Sequence, residues 1–323
     1  MKVTICFFLA TMLLSSISCD NAHRQKRILY INSYHEGYPT SDKVCSVIRD
    51  SVTSWGDSLK IIYMDCKRNP SSDFAEKKAK SIYEEIKRFN PDGILVSDDD
   101  AVKYVVEPYL KDSCNIPVVF CGVNWECEQY GLPYSNITGV LEVLPLETLL
   151  HRILLLYPDA RKIAVLSEKT VSEQNNCRIL DTLYRKQELE PCYFLVNDFN
   201  EWCENLVWLN EDFDIIYLPT NGAIKNWDSV MAKKVVYENI KKPVITCDDF
   251  MMPYCVFGLT KVAEEQAVIA LRMMTDILDG EKSPKDIPVE KNKQGKAWLN
   301  TKLAGKILFD INVLSDLTPE LIN

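Results

Sequence analysis

Short apolar, β-branched runs alternate with stretches of helical periodicity along almost the whole chain, and that alternation restricts the fold more than any other feature. The runs 28–32, 60–64, 93–96, 117–120 and 138–143 have the composition of buried strands. Between them, Val44, Val47, Ile48, Val52 and Trp55 recur at helical spacing, with Gly56 placed to cap the C-terminus. Ala75, Ala79, Ile82, Ile86 and Phe89 form a second stripe behind a capping-box start at Asp73 and Glu76. A third helix is expected around 102–109. The pattern then begins again. Pro145 opens a helix with Leu146, Leu149, Leu150, Ile153 and Leu154 inward. Strands are expected at 162–166, 192–196, 214–218 and 243–246, separated by helices centred near Leu180, Leu206 and Val235. Residues 256–259 read as an edge or crossover strand. A long helix spans 262–278 and ends at Gly280, and the tail 287–311 holds one or two further β segments.

Strand–helix alternation implies parallel sheets covered on both faces. Two series of this kind in 323 residues predict an α/β protein of two similar Rossmann-like lobes. No sequence repeat supports this; the prediction rests on the repeated order of elements.

The N-terminus carries Lys2, an apolar run at 3–14 and then Ser15-Ser16-Ile17-Ser18-Cys19. The run is shorter than the roughly 20 residues needed to cross a bilayer. A basic start, a short apolar core and small residues before a cut describe a signal peptide, 1–18. Ser18-Cys19 is similar to the lipobox of bacterial lipoproteins, with Ser16 where that motif prefers Leu. Cys19 is therefore the expected lipidation site, and 19–27 a polar tether; plain secretion and an uncleaved anchor are the alternatives. With 12 cysteines in the chain, removing Cys6 and Cys19 leaves ten in the mature protein. No C-x-x-C occurs, so zinc or thioredoxin-like chemistry has no support. Cys66, Cys121, Cys192 and Cys247 are expected as small core hydrophobes. A disulfide within Cys114, Cys121 and Cys127 is the competing reading. With 46 acidic against 37 basic residues and no basic stripe, nucleic acid is not an expected partner.

Ligands of open α/β sheets bind beyond the carboxyl ends of the strands. This rule selects Ser33 and Tyr34, then Asp98 and Asp99, then Gly122 and Asn124, and Glu142 in the first unit. In the second it selects Ser167, then Thr220 and Asn221, then Asp248 and Asp249. Some of these polar residues serve only as helix caps. The excess is acidic, and carboxylates sharing a cleft favour a ligand with an ammonium group or several hydroxyls. Tyr34, Trp125, Trp227 and Tyr254 lie near the same ends. None of the three histidines, His23, His35 and His151, falls in a metal-binding motif. No nucleophile elbow, P-loop or dinucleotide fingerprint occurs. Neither a cofactor nor catalysis is expected. Mg²⁺ at Asp98-Asp99-Asp100 and glycoside hydrolysis by Glu142 with an aspartate are the minor alternatives.

Several segments carry a family resemblance: Ile31-Asn-Ser-Tyr-His-Glu-Gly-Tyr38, Gly93-Ile-Leu-Val-Ser-Asp-Asp99, Val118-Val-Phe-Cys-Gly-Val-Asn124, Thr138-Gly-Val-Leu-Glu142, Lys162-Ile-Ala-Val-Leu-Ser167, Asp214-Ile-Ile-Tyr-Leu-Pro-Thr-Asn221 and Trp298-Leu-Asn-Thr-Lys-Leu-Ala304. In this order they resemble the ABC-transporter substrate-binding proteins of the tryptophan/tyrosine-uptake-like group, with the type I periplasmic-binding-protein fold. The resemblance implies a hinge joining lobe 1 (28–144 with 280–323) to lobe 2 (145–279), with crossovers near 144–145, 246–247 and 278–280. It also implies that closure buries an amino-acid-like or other polar small molecule. The expected protein is a monomeric, extracytoplasmic, lipid-anchored binder serving an ABC permease. The opening Asn32-Ser33-Tyr34-His35 is also similar to extracytoplasmic sensor domains of histidine kinases, which makes a ligand-sensing subunit for a kinase or chemoreceptor the second reading. At Asp98 and Asp99 the chain departs from the aromatic-amino-acid binders, which usually carry small residues there.

Overall fold

The computed structural model describes residues 24–111, 115–314 and 316–323. The leader and Cys19 lie outside the described residues, as do His23 and Cys114, so the lipidation reading and any disulfide through Cys114 have no structural account.

Two sheets face each other. In the first, β1 (Arg27–Asn32), β2 (Ser58–Tyr63), β3 (Gly93–Ser97), β4 (Val118–Asn124), β5 (Ile137–Glu142) and the two-residue β11 (Glu290–Lys291) lie in the order β11, β5, β4, β3, β1, β2. All are parallel. Helix α1 (Pro39–Ser54) buries Val44, Cys45, Ile48 and Val52 on one face, at the spacing read from the sequence. Helix α2 (Ser72–Phe89) and the helical segment 98–110 cover the other through Ala79, Ile82, Val102 and Val106. Fully burying each such Val or Ile contributes roughly 1.5–3 kcal/mol. The N-cap of α2 is Ser71, which accepts from the Phe74 N–H at 3.3 Å, rather than the expected Asp73.

The second sheet has seven strands. Four follow the same winding as the first: β6 (Lys162–Glu168), β7 (Glu190–Val196), β8 (Ile215–Tyr217) and β9 (Val244–Thr246). Beyond them lie β10 (Phe257–Lys261), β12 (Gly295–Asn300) and the terminal strand Glu320–Ile322. The run 256–259 is thus not at an edge: β10 pairs with β9 in parallel and with β12 antiparallel.

The lobe boundaries differ from those expected. The helix Ala263–Leu278 packs on the first sheet, laying Ala263, Ala267, Ala270 and Met274 against the α1 side. Gly93 permits this contact, since a Cβ there would overlap the Met274 sulfur. The tail does not return wholly to the first lobe. After Glu290–Lys291 it crosses back, and Trp298 on β12 donates its Nε1–H to Thr260 Oγ1 at 2.8 Å. The chain therefore passes between sheets near 143–145, at Val262 and at 292–294. Residues 246–247 and 278–280 are not crossovers: the first pair continues within the second lobe, and the second ends a helix of the first.

The three passages are tied together. Asn292 accepts from the Val143 N–H at 2.6 Å and donates to its carbonyl at 3.1 Å. The Glu265 carboxylate accepts from the N–H groups of Lys293 and Gln294.

Candidate functional site

Each sheet has a switch point where the winding reverses, between β1 and β3 in one and between β6 and β8 in the other. These are the places where helix N-termini diverge and leave a crevice. In this protein the two crevices face each other and enclose a cavity of about 50 Å³. Its walls include Tyr34, Tyr38, Lys67, Asp98, Asn124 and Glu142 from the first lobe, and Ser172, Glu173, Thr220, Asp248 and Lys261 from the second or its crossover.

Tyr34, Asp98, Asn124, Glu142, Thr220 and Asp248, all expected from the strand-end rule, line this cavity. The other six candidates do not. Ser33 is consumed in joining two strand ends, donating to the Ser97 carbonyl at 2.6 Å and accepting from the Ala101 N–H at 2.8 Å. Ser167 donates to Glu173 at 2.7 Å and is fully buried. Gly122 donates its N–H to Gln266 Oε1 at 2.6 Å and lies beneath Asp98, where its missing side chain makes room for the aspartate. Asp99 faces an outer chamber and accepts from Asn124 Nδ2 at 2.6 Å and the Tyr130 hydroxyl at 2.8 Å. Asn221 turns the chain after Thr220, its carbonyl accepting from the Ile224 N–H. Asp249 pairs with Lys43 across the lobes, outside the cavity. Trp227 and Tyr254 also leave the site. They pack with Phe199 and Trp202 in the second lobe, and Trp227 Nε1–H donates to the Tyr254 hydroxyl at 3.3 Å.

Two lysines dominate the electrostatics, and the strand-end reading named neither. Lys67 follows β2 and reaches across to Glu168 at the end of β6, with 2.5 Å between Nζ and Oε1. Their side chains are 6% and 0% exposed, so closure buries a charge pair that belongs to both lobes. The Lys67 ammonium also stands 5.0 Å from the centre of the Tyr34 ring and 5.5 Å from that of Tyr38, within cation–π range. Burial opposes its charge, but Glu168 foremost holds its pKa above the usual lysine value. Lys261, where β10 leaves the second sheet, bonds Glu142 and lies 3.2 Å from Asp248. The second Glu142 oxygen accepts from Gln266 Nε2 at 2.8 Å. Both oxygens of Glu142 are thus engaged by neighbours, which suits an anchor better than a proton-transferring acid.

Three cavity carboxyls stand in a different state. Burial, with Glu142 next, pushes Asp98 up to about 8. Asp248 is raised to about 6 by burial, against the pull of Lys261. Glu173 is raised by burial and by Glu168, while it accepts from Ser167 and from Asn176 at 2.9 Å.

Closure is reinforced by Tyr38. Its hydroxyl meets Thr220 Oγ1 at 3.2 Å, and its ring lies where a Cβ on Gly222 would be. A sequence signal existed for part of what was missed. The strand-end rule, applied after β2 and β10, selects Lys67 and Lys261. Glu173 and Asn176 had no such signal, because they project from the first two turns of the helix Val171–Lys186.

Among the described residues, no group of three or more His, Cys, Asp or Glu side chains is arranged to hold a metal ion. Nor is any helix there long and apolar enough to cross a membrane. The nine described cysteines are free thiols, and Cys192 is exposed on β7 rather than a core residue, because its strand lies at the sheet edge.

Two α/β lobes closed over a polar cavity at facing switch points define a binding protein of the periplasmic type. The chain belongs to the ABC transporter substrate binding protein family, whose model matches residues 61–315. No curated protein matches it in sequence. Solved structures share the fold at low identity. An ABC domain in complex with L-Trp from Streptococcus pneumonia is 20% identical with a TM-score of 0.69, covering 93% of this chain and 100% of that one. A conserved domain protein from Vibrio cholerae is 18% identical with a TM-score of 0.72, at the same coverage. The ligand-free, open structure of CD0873, a substrate binding protein with adhesive properties from Clostridium difficile, is 17% identical with a TM-score of 0.67, covering 92% of this chain and 99% of that one.

Proposed function

We propose that this protein is an extracytoplasmic lipoprotein, anchored through Cys19, that captures a polar small molecule between its lobes and delivers it to an ABC importer without chemical change. The observation that carries this reading is the interlobe cavity, whose walls come from both sheets and exist together only when the lobes are closed. A ligand that touches both walls binds the closed form better and shifts the hinge equilibrium toward it. Family membership supports delivery to a permease, and the lipobox-like leader supports the anchor.

The test is a thermal-shift screen of the purified protein against amino acids, amines, nucleosides and sugars. One class should raise the melting temperature in a saturable way, and small-angle scattering should show compaction with the same compound. A flat response to all four classes would sink the binding reading. Separately, Cys19→Ser should release the protein from membranes of the expressing cell and abolish incorporation of a labelled fatty acid.

A further inference from the structure

The charges of the closed cavity are unequal in a way that narrows its ligand. Four carboxylates, Asp98, Glu142, Glu173 and Asp248, face it together with two lysines. Neither lysine is free for a ligand anion: Lys67 is held by Glu168, and Lys261 is shared by Glu142 and Asp248. Among the described residues no arginine lines the cavity, and no Lys or Arg lies within ion-pair distance of Asp98. Helices α1 and Val171–Lys186 both begin at the cavity, through Thr40 and Ser172, and each carries an acid in its first turn, Asp42 and Glu173, so a carboxylate already stands at each positive end. Among the described residues, a zwitterionic ligand would find a charged partner for its ammonium group and no free cation for its carboxylate.

Shape adds a second constraint. The inner cavity of about 50 Å³ has room for only a few waters, at the roughly 10–15 Å³ that one needs, so it takes a small head group. Tyr34 and Ser172 are walls both of this cavity and of an outer chamber of about 200 Å³. Among the described residues, that chamber is lined by Asp99, Asp100 and Glu107 against the single cation Lys103.

Resting on the reading of this cleft as the ligand site, we infer that its ligand is an elongated amine of net positive charge, with its ammonium seated against Asp98 and its remainder directed past Ser172 into the outer chamber. The Asp98 carboxyl, which releases its proton to solvent as the ammonium seats, supplies the counter-charge, the Tyr34 ring face flanks the path, and the acidic outer chamber accommodates a second cationic group.

Isothermal titration calorimetry of the purified protein at pH 8 tests this with putrescine, agmatine, L-tryptophan and D-ribose. Putrescine or agmatine should bind saturably, while tryptophan and ribose give no heat. Asp98→Asn should weaken amine binding about 100-fold, as expected when one partner of a buried charge pair is lost. A thermal melt of the variant should show that it remains folded. Tight binding of tryptophan or ribose in place of the amines would overturn the amine assignment and leave the binding reading standing. Amine binding that survives Asp98→Asn unchanged would overturn it as well. If none of the four probes binds, the amine assignment fails, and the binding reading fails with it only if the broader thermal-shift panel is also silent.

Discussion

Asp98 occupies a position that carboxylates normally avoid. Its φ of 68° is in the left-handed region, tolerated by aspartate far better than by branched residues. It shares the first-lobe wall of the cavity with Glu142, and burial foremost raises it from 3.8 to about 8. The folded protein therefore holds a proton that the unfolded chain releases above about pH 4. Stability from this group is complete below that pH and is lost as pH rises toward about 8. Asp98→Asn should remove this slope and make the unliganded protein several kcal/mol more stable than wild type at pH 8, at about 1.4 kcal/mol for each unit of the rise. Urea titrations at pH 5 and pH 8 check both the sign and the size. Lys67 gives the opposite case. Lys67→Met leaves Glu168 buried without its cation, so the closed form should lose about 3 kcal/mol. Small-angle scattering should find the variant more extended than wild type, and adding Glu168→Gln should restore much of the compaction.

At the scale of elements, closure depends on the approach of the Tyr38 loop to the turn after β8. Gly222 leaves space for the Tyr38 ring, and its backbone is not in the left-handed region. Gly222→Ala should therefore fold normally yet fail to close, weakening ligand affinity at least ~10-fold for a lost interlobe hydrogen bond and ring contact. An unchanged scattering profile would count against that account. The elements themselves were largely legible: of the stripe Val44, Val47, Ile48, Val52 and Trp55, the helix buries Val44, Ile48 and Val52, while Val47 is half-buried and Trp55 beyond its end is exposed. The pairing of β10 was not legible, because its antiparallel partner β12 lies more than thirty residues downstream, beyond any local periodicity. Half of the residues expected at strand ends line the cavity. Strand ends place side chains near the cavity, but hydrogen bonding decides which ones turn inward. Ser33 and Ser167 are spent on backbone and Glu173, whereas Asp98 is left facing the void.

Over the whole molecule, the chain weaves between its lobes more than a simple two-part division suggests. The second sheet needs β12 and the terminal strand, and the helix Ala263–Leu278 belongs to the first lobe. A fragment of residues 145–279 lacks two of the seven strands and carries an orphaned apolar helix face. It should be unfolded by circular dichroism, whereas residues 145–262 joined by a short linker to 293–323 should fold. Glu142 has a further consequence, because it is both a wall of the cavity and a fastening among the passages linking the lobes. Whatever perturbs its grip on Lys261 is felt at the pivot without an intermediary. A lineage adapting this protein to a new cargo by changing that wall would alter the ease of its jaw movement in the same mutation.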